Sequence, residues 1–172
     1  LLKKRGTFVA CYADLNNFKP FNDHYGYWRG DEMIRLLARI AMEQCDAQRD
    51  FLGHVGGDDF ILLFQSPDWR ARAERIVADF DARALAMFDE AARAAGGIHA
   101  EDRHGVSRFF ACTTLSIGAM LIDGRRFTSA EDVANVAALA KHDAKQACAG
   151  LLERLANPQD FRSRSLDRER GN

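Results

Sequence analysis

Two glycines followed by two aspartates occupy a short turn near the middle of this 172-residue chain. The segment Gly56–Gly57–Asp58–Asp59 lies between two strand-like runs, residues 50–55 and 60–65. A Gly-Gly pair supplies the positive φ angles that a tight hairpin turn requires. Adjacent carboxylates at an exposed tip repel each other, so stability alone gives no reason to place them there. A divalent cation such as Mg²⁺, which binds carboxylates together with substrate phosphates, would give one.

A third carboxylate, Asp14, closes an apolar run over residues 7–15 that is typical of a central strand. If this strand neighbours the hairpin, Asp14, Asp58 and Asp59 converge and form a metal site. The alternative is that each carboxylate only caps or turns its own local segment.

The residues directly after Asp14 suit a phosphate group. Asn17, Phe18 and Lys19 follow the strand end, where backbone N–H groups and an ammonium group are available. On the last predicted helix, Lys141 and Lys145 lie one turn apart, within reach of a triphosphate. For each of these lysines the alternative is an ordinary solvated side chain.

Asn22 and Asp31 offer an amide and a carboxylate that match the edge of guanine. A carboxylate accepts the two parallel N–H donors of that base, and an amide can both donate and accept. The alternatives are structural, with Asp31 as a helix N-cap and Asn22 in an Asx turn.

The composition limits the partners of the chain. A net charge of −1 provides no basic field for nucleic acid, and no apolar run approaches the ~20 residues of a membrane span. We therefore expect neither nucleic-acid binding nor membrane contact by this segment. The four scattered cysteines predict free thiols in a reducing compartment, the cytoplasm. Because the first residue is not Met, we expect a piece of a longer protein.

The elements that must position these residues form an α+β or α/β layered domain. Residues 16–30 are predicted to be irregular or briefly helical, and residues 98–108 a loop or a mobile edge. The periodicity and capping signals predict strands at 7–15, 50–55, 60–65 and 109–122, and helices at 31–44, at 67–95 and from a capping box at 128–131 to about residue 149.

The order and spacing of these motifs resemble the GGDEF family of diguanylate cyclases. Residues 14–23, Gly26, Gly30–Asp31 and residues 56–60 match the signature motifs of that family. Residues 115–118 are similar to its "SIG" strand and Ala144–Lys145 to its closing "AK" helix. The likeness runs from about residue 8 to residue 149, which is nearly the whole chain.

The resemblance implies a fold and a reaction. The fold is a nucleotide-cyclase or palm-like domain over residues 1–156, with a mostly antiparallel central sheet of about five strands flanked by helices, and a disordered tail over 157–172. The reaction condenses two GTP molecules into cyclic di-GMP and two pyrophosphates at a homodimer interface. Mg²⁺ or Mn²⁺ is the implied cofactor, with two ions per site, and a fused regulatory or EAL-type domain is the implied neighbour in the parent chain.

The resemblance also implies roles for individual residues. Asp14, Asp58 and Asp59 become the catalytic and metal-binding carboxylates, joined by the carbonyl group of Leu15. The implied substrate-binding residues are Gly56 and Gly57 for close approach of the nucleotide, Asn17, Phe18, Lys19 and Lys145 for the phosphates, and Asn22 and Asp31 for guanine.

Several positions depart from the family pattern. Asp59 stands for the usual Glu, Asn16 for a frequent Asp and Tyr27 for a usual His. Residues 148–150 read CAG in place of GRN, and residues 47–50 keep only the Asp of the product-inhibition motif RxxD. These departures favour an alternative function, a weak or inactive GTP-binding domain that regulates an attached EAL-type phosphodiesterase. A purely structural dimerisation module is a third interpretation.

Overall fold

A five-stranded sheet with helices on both faces forms the body of the protein, for which the computed structural model describes residues 6–101, 104–125, 127, 129–147 and 150–154. In chain order the elements are β1 (Thr7–Asn16), α1 (Phe18–Tyr25), α2 (Tyr27–Gln44), β2 (Phe51–Gly56), β3 (Asp59–Phe64), α3 (Trp69–Leu85), α4 (Glu90–Ala95), β4 (Gly97–Glu101), β5 (Ser107–Ala111), β6 (Thr114–Asp123), α5 (Ala130–Ala147) and β7 (Leu151–Arg154).

Strand β1 is the centre of the sheet, whose strand order is β2-β3-β1-β6-β7. All neighbouring strands are antiparallel except β6 and β7, which are parallel. Strands β4 and β5 form a separate two-stranded hairpin. The structure therefore confirms the predicted α+β class with a mostly antiparallel sheet of five strands. It also confirms that the strand carrying Asp14 pairs directly with the second strand of the Gly-Gly hairpin.

The two faces of the sheet pack against different helices. Alternate residues of a strand point to opposite faces, and in β1 Val9 and Cys11 join the larger core with α1–α4, whereas Phe8 and Ala10 join a smaller core that includes Val136 of α5. Asp14 has the parity of the α5 face, which is why the last helix can reach it.

Helix α2 begins at Tyr27, so the prediction that it begins at Asp31 is wrong. Gly30 reads as a helix breaker in the sequence, but it lies inside the helix. A Cβ at Gly30 would overlap Oδ1 of Asn22, so the glycine makes room for that side chain. Asp31 lies beyond the first turn and is exposed, which rules out the N-cap interpretation.

The region between β3 and β6 contains more elements than the sequence predicted. The single helix expected over 67–95 is broken at residues 86–89, where Phe88 turns into the core and Asp89 caps α4 by accepting the N–H of Ala92 at 2.8 Å. The loop predicted over 98–108 is wrong, whereas the strand predicted over 109–122 is present over most of its length but is not a single strand. Backbone pairing between Gly97–Glu101 and Ser107–Ala111 forms the β4–β5 hairpin, and the chain breaks at residues 112–113 before β6.

The last helix begins at Ala130, and its cap lies one residue after the predicted one. Ser129 accepts the N–H of Asp132 at 3.0 Å, and the predicted cap at Thr128 lies outside the described residues. Strand β7 was not predicted. Residues 155–172 are also outside the described part, so the boundary at 156 and the tail over 157–172 stay predictions.

Three of the cysteines are described, and all three are free thiols, with Cys11 buried and Cys45 and Cys112 partly buried. Cys148 lies outside the described residues. Among the helices that the structure describes, none combines the length and the apolar character needed to cross a membrane.

Candidate active site

An open pocket of about 360 Å³ lies where the end of β1 meets the start of α1. Six of the nine residues that line it were predicted as site residues from the sequence. The lining residues are Leu15, Asn17, Phe18, Lys19, Pro20, Asp58, Glu101, Phe110 and Lys145.

The chain turns sharply into this pocket at Asn17. This residue has φ 57° and ψ 26°, the left-handed region that Asn tolerates better than most residues. Its side-chain Nδ2 donates to the carbonyl oxygen of Ala111 at 3.1 Å, which ties the turn to β5. Helix α1 begins immediately afterwards, and the first N–H groups of a helix have no intrahelical partner. Lys19, in the first turn, forms an ion pair with Asp23.

The Gly-Gly hairpin forms as predicted. Gly56 and Gly57 have φ angles of 148° and 58°, so both positions favour glycine. The ring of His54 stacks on Phe60 at 4.6 Å between centroids, and its Nε2–H donates to the carbonyl oxygen of Gly57 at 2.8 Å. The His54 side chain therefore holds the tip of the hairpin, a role that no sequence pattern predicted.

The two adjacent aspartates of the hairpin face different surroundings. Asp58 is half-buried and lines the pocket. Asp59 begins β3 and forms an ion pair with Lys141 of α5, beside the ring of Tyr12. Only Asp58 is therefore directly available to a ligand in the pocket.

Asp14 lies at the centre of the charged cluster and is only 3% exposed. Its Oδ1 accepts from Nζ of Lys145 at 2.6 Å, and its Oδ2 lies 2.7 Å from Nζ of Lys141. Because Lys141 also contacts Asp59, one ammonium group bridges β1 and the hairpin. The predicted convergence of Asp14 with the hairpin is thus observed.

Burial and the mutual charges of this cluster shift the pKa values of several of its residues. The pKa of Asp58 is raised, first by burial and then by the nearby charge of Asp14, while Lys145 acts in the opposite direction. Burial lowers the pKa of Lys141, but its hydrogen bonds to Asp14 and Asp59 outweigh burial and the pKa is raised overall. The pKa of Tyr12 is also raised, by burial and by the charge of Asp59.

The donor atoms suit a divalent cation. Mg²⁺ usually binds one or two carboxylates plus substrate phosphates rather than a cage made only of protein. Asp14 and Asp58, with the carbonyl group of Leu15, offer such a partial set. A cation would offset the burial and the nearby charge of Asp14 that together raise the pKa of Asp58. Consistent with a partial set, no three acidic, His or Cys side chains in the described parts of the chain are arranged to hold a metal.

The residues predicted to recognise guanine are outside the pocket lining. Asn22 projects from α1 against Gly30 of α2, and its Oδ1 is buried without a hydrogen-bond partner among the described residues. Asp31 is the next residue after Gly30 and is exposed. The two therefore belong to the junction of α1 and α2.

Sequence reasoning missed several residues of the site. Lys141 was left open as a solvated lysine, although its place one turn before Lys145 was a usable signal. Tyr12 shares a strand face with Asp14, which period-two alternation could have indicated. Glu101 comes from the segment that was predicted as a loop and Phe110 from the strand predicted over 109–122, and no sequence signal pointed to either as a site residue.

Two departures from the family pattern have structural roles here. Asn16 donates from Nδ2 to the hydroxyl groups of Thr114 and Ser116 at 3.0 and 2.8 Å, which fastens the end of β1 to β6. Asp50, the residue kept from RxxD, has a fully buried side chain that pairs with Arg72. Residue 149 lies outside the described part.

Comparison with known proteins supports the same family. The sequence model described as "Diguanylate cyclase, GGDEF domain" matches residues 2–149. A diguanylate cyclase of Vibrio cholerae is 36% identical over 59 residues, covering 34% of this chain and 18% of that protein. The cyclic di-GMP phosphodiesterase PdeB of Shewanella oneidensis is 39% identical over 57 residues, covering 33% of this chain and 6% of that protein. The matched segments are thus a small part of these curated relatives.

Solved structures share the fold. The GGDEF domain of TpbB (YfiN) from Pseudomonas aeruginosa has a TM-score of 0.61 at 23% identity, covering 95% of this chain and 84% of that one. The GGDEF domain of DgcB from Caulobacter crescentus, solved with cyclic di-GMP, has a TM-score of 0.60 at 18% identity, covering 88% and 80%. Members of this family generally use divalent metal ions. Given the fold, the hairpin and a family match over most of its length, the chain belongs to the GGDEF domain family of diguanylate cyclases.

Proposed function

We propose that this domain is a diguanylate cyclase that condenses two GTP molecules into cyclic di-GMP and two pyrophosphates. One domain binds one GTP, and two domains meet in a homodimer. The 3′-hydroxyl of each GTP attacks the α-phosphorus of the other, and pyrophosphate leaves each time. The observation that carries the proposal is the pocket in which a carboxylate, two lysines and the start of a helix come together.

The pocket supports triphosphate binding through three kinds of group. Lys19 and Lys145 bring positive charge to its wall. The N-terminus of α1, at Asn17 and Phe18, adds backbone N–H groups in a position that favours anions. Gly56 and Gly57 have no side chain that would keep a nucleotide away from the hairpin. Together these groups position and neutralise phosphates, which is the main task of a phosphoryl-transfer site.

The junction of α1 and α2 is proposed to recognise the base. The buried Oδ1 of Asn22 is an acceptor that no group of the described chain satisfies, and Asp31 adds a carboxylate nearby on α2. A site that pairs with N–H donors rejects a base that lacks them by a large factor. Asp31→Ala should therefore weaken binding of GTP much more than binding of ATP in a competition measurement.

The metal, Mg²⁺ or Mn²⁺, is proposed to be held by Asp14, Asp58 and the carbonyl group of Leu15. When bound, it supplies positive charge to the phosphate oxygens. Asp58 presents its carboxylate to the pocket, and Asp14 anchors the cluster from β1. Asp59 supports the arrangement from the other side of the tip, through its ion pair with Lys141.

The test is product formation by the purified domain. GTP is supplied with Mg²⁺ or Mn²⁺ at several protein concentrations, and cyclic di-GMP and pyrophosphate are measured. We expect turnover per domain to rise with protein concentration, because dimers form by mass action. In Asp58→Asn, turnover should fall by at least about 10²-fold, since a charge-stabilising group of the site is lost.

The matched control is Asp79→Asn, which removes the same charge from the exposed surface of α3. This variant should keep the wild-type rate. Equal rates for wild type and Asp58→Asn would contradict the proposed site. GTP binding without product at any protein concentration would contradict the cyclase activity.

A second function is favoured by the ion pairs of the cluster. Both oxygens of Asp14 are held by lysines, and Asn16 is bonded to β6. These contacts suit a domain that binds GTP with little or no turnover and regulates an attached EAL-type phosphodiesterase. The similarity to PdeB, named as a cyclic di-GMP phosphodiesterase, supports this arrangement of the parent chain. GTP binding without cyclic di-GMP is the result that distinguishes it. In either case we propose a cytoplasmic location, where GTP is available and thiols stay reduced.

A further inference from the structure

We propose that Lys141 is a tethered cation that takes the place of one divalent ion in the carboxylate cluster. The domain then binds at most one divalent cation, at Asp14 and Asp58, and the position between Asp14 and Asp59 is filled by the chain itself. This inference deepens the proposed function, on which it rests for the choice of metal ligands. It departs from the two ions per site that the family resemblance implies.

The contacts of the Lys141 ammonium group are those of a bridging cation. Its Nζ lies 2.7 Å from Oδ2 of Asp14, donates to Oδ1 of Asp59, and lies 4.8 Å from the centroid of the Tyr12 ring. A lysine has three N–H donors, and the two carboxylates and the aromatic face account for its surroundings. An ion that binds between Asp14 and Asp59 must therefore displace it.

The backbone holds Lys141 in this place. At Gly118 of β6, a Cβ would overlap the carbonyl group of Ala140 and the backbone nitrogen of Lys141. Helix α5 thus lies directly on the sheet at the residue before Lys141. Gly118 is paired with Tyr12 in the sheet, two residues from Asp14. The close approach brings the start of the lysine side chain to the carboxylates, and the side chain is only 23% exposed.

The charge balance agrees with one ion. Three carboxylates, Asp14, Asp58 and Asp59, face the two ammonium groups of Lys141 and Lys145. Their formal charges leave one negative charge, which a single divalent ion more than neutralises. A second divalent ion would add excess positive charge next to an ammonium group, and like charges a few ångströms apart repel strongly in a half-buried site.

The first test is the number of Mn²⁺ ions bound by the wild-type domain. Mn²⁺ alone is titrated into metal-free protein, and free ion is followed by electron paramagnetic resonance. We expect at most one ion per domain in the millimolar range. Two ions per domain would overturn the proposal, whatever the behaviour of the variants.

The second test removes the tethered charge. Lys141→Met keeps the apolar stem, and Lys141→Gln keeps a polar end in case the first variant does not fold. Either variant should gain one Mn²⁺ site, because the carboxylates of Asp14 and Asp59 that held the ammonium group become available to an ion. Arg39→Met is the matched control, since it removes one exposed positive charge from α2, on the other face of the sheet. Its Mn²⁺ binding should equal that of the wild type.

A double variant locates the gained site. Adding Asp59→Asn to Lys141→Met should abolish the gain, because the new ion would use the carboxylate that Lys141 released. Unchanged or weaker Mn²⁺ binding in both neutral variants overturns the proposal, and so does a gain that survives Asp59→Asn. These measurements need no GTP, so a domain that makes no cyclic di-GMP still gives a full result, and failure of the proposed function is seen separately.

Discussion

Two buried aspartates on opposite sides of this sheet are held in different ways. Asp50 accepts the backbone N–H groups of Asp46 and Gln65 at 2.9 and 3.0 Å, and its carboxylate pairs with Arg72 at 2.6 Å. Asp14 is nearly as buried, but its carboxylate is held by the flexible side chains of Lys141 and Lys145.

The two aspartates differ in whether their bonding partners can move away. Backbone N–H groups are fixed by the fold, and the side chain of Arg72, which ends in a planar guanidinium group, is only 15% exposed. A lysine ammonium group ends a flexible four-carbon chain and can move away into water, and the side chain of Lys145 is already 47% exposed. One aspartate is therefore part of the structure, whereas Lys145, one of the two partners of the other, can be exchanged for a ligand or a metal ion. A buried ion pair by itself does not tell the two roles apart; the identity of its partners does.

The largest expected effect is on stability, in Asp50→Asn. The change removes the buried charge that Arg72 and two backbone N–H groups share, and it leaves Arg72 with only the exposed Asp68, 3.0 Å away, as a counter-charge. We expect a loss of about 3 kcal/mol in the free energy of unfolding. Urea denaturation followed by circular dichroism measures it, with Asp79→Asn as the surface control. A loss below about 1 kcal/mol would show that the Asp50 cluster is not a structural centre.

Gly118→Ala tests how closely α5 lies on the sheet. The added Cβ would meet the backbone of Ala140 and Lys141 rather than a flexible side chain. We expect a loss of about 1–3 kcal/mol, typical of overpacking. The control is Gly6→Ala, where a Cβ would meet nothing within 4 Å. Equal denaturation midpoints for both variants would contradict the close contact on which the position of Lys141 depends.

Asp14→Asn, unlike Asp50→Asn, should affect metal binding much more than stability. Lys145 can return to solvent and Lys141 keeps Asp59, so the free energy of unfolding should change by less than about 1 kcal/mol. Mn²⁺ affinity should fall by about tenfold or more, because a ligand carboxylate is lost. Urea denaturation checks the stability and Mn²⁺ titration of the same sample checks the metal affinity. A large loss of stability with normal metal binding would show that Asp14, like Asp50, has a structural role.

The smallest effect concerns pH. The pKa of Asp58 is raised by burial and by the facing charges of Asp14 and Asp59, against the opposing charge of Lys145. A proton competes with metal at this carboxylate, so Mn²⁺ affinity should increase a few-fold as pH rises through the raised pKa. Because folding raises the pKa, this group favours the folded state most at low pH, and that contribution is lost as pH rises through the folded pKa. Asp58→Asn should flatten this step in the Mn²⁺ titration, and a step of the same size in both proteins would assign it to another group.

The sequence predicted the parts of the molecule that depend on local patterns. A continuous apolar run located β1, and the Gly-Gly pair located the hairpin, because positive φ angles leave few other residues at its tip. Six of the pocket residues were identified from the motif order. These features are short in range or are tied to a known motif.

What the sequence did not predict depends on packing between distant elements. From the sequence, Gly30 is interpreted as a helix breaker. Its role becomes clear only from the packing, because the Asn22 side chain occupies the space that a Cβ at Gly30 would fill. Strand β5 is mostly exposed and its sequence does not alternate, so backbone pairing with β4 rather than a sequence pattern defines the hairpin. The bridge from Lys141 to Asp14 and Asp59 spans most of the chain and depends on the contact between α5 and Gly118, which no local pattern shows.

The most direct measurement is a crystal structure of the domain with Mn²⁺ and a non-reacting GTP analogue, with the metal located by anomalous diffraction. The account predicts one Mn²⁺ peak per domain at Asp14 and Asp58, phosphates against Lys19 and the start of α1, and Lys141 still bridging Asp14 and Asp59. Two Mn²⁺ peaks with Lys141 displaced, or a nucleotide bound away from this pocket, would contradict it.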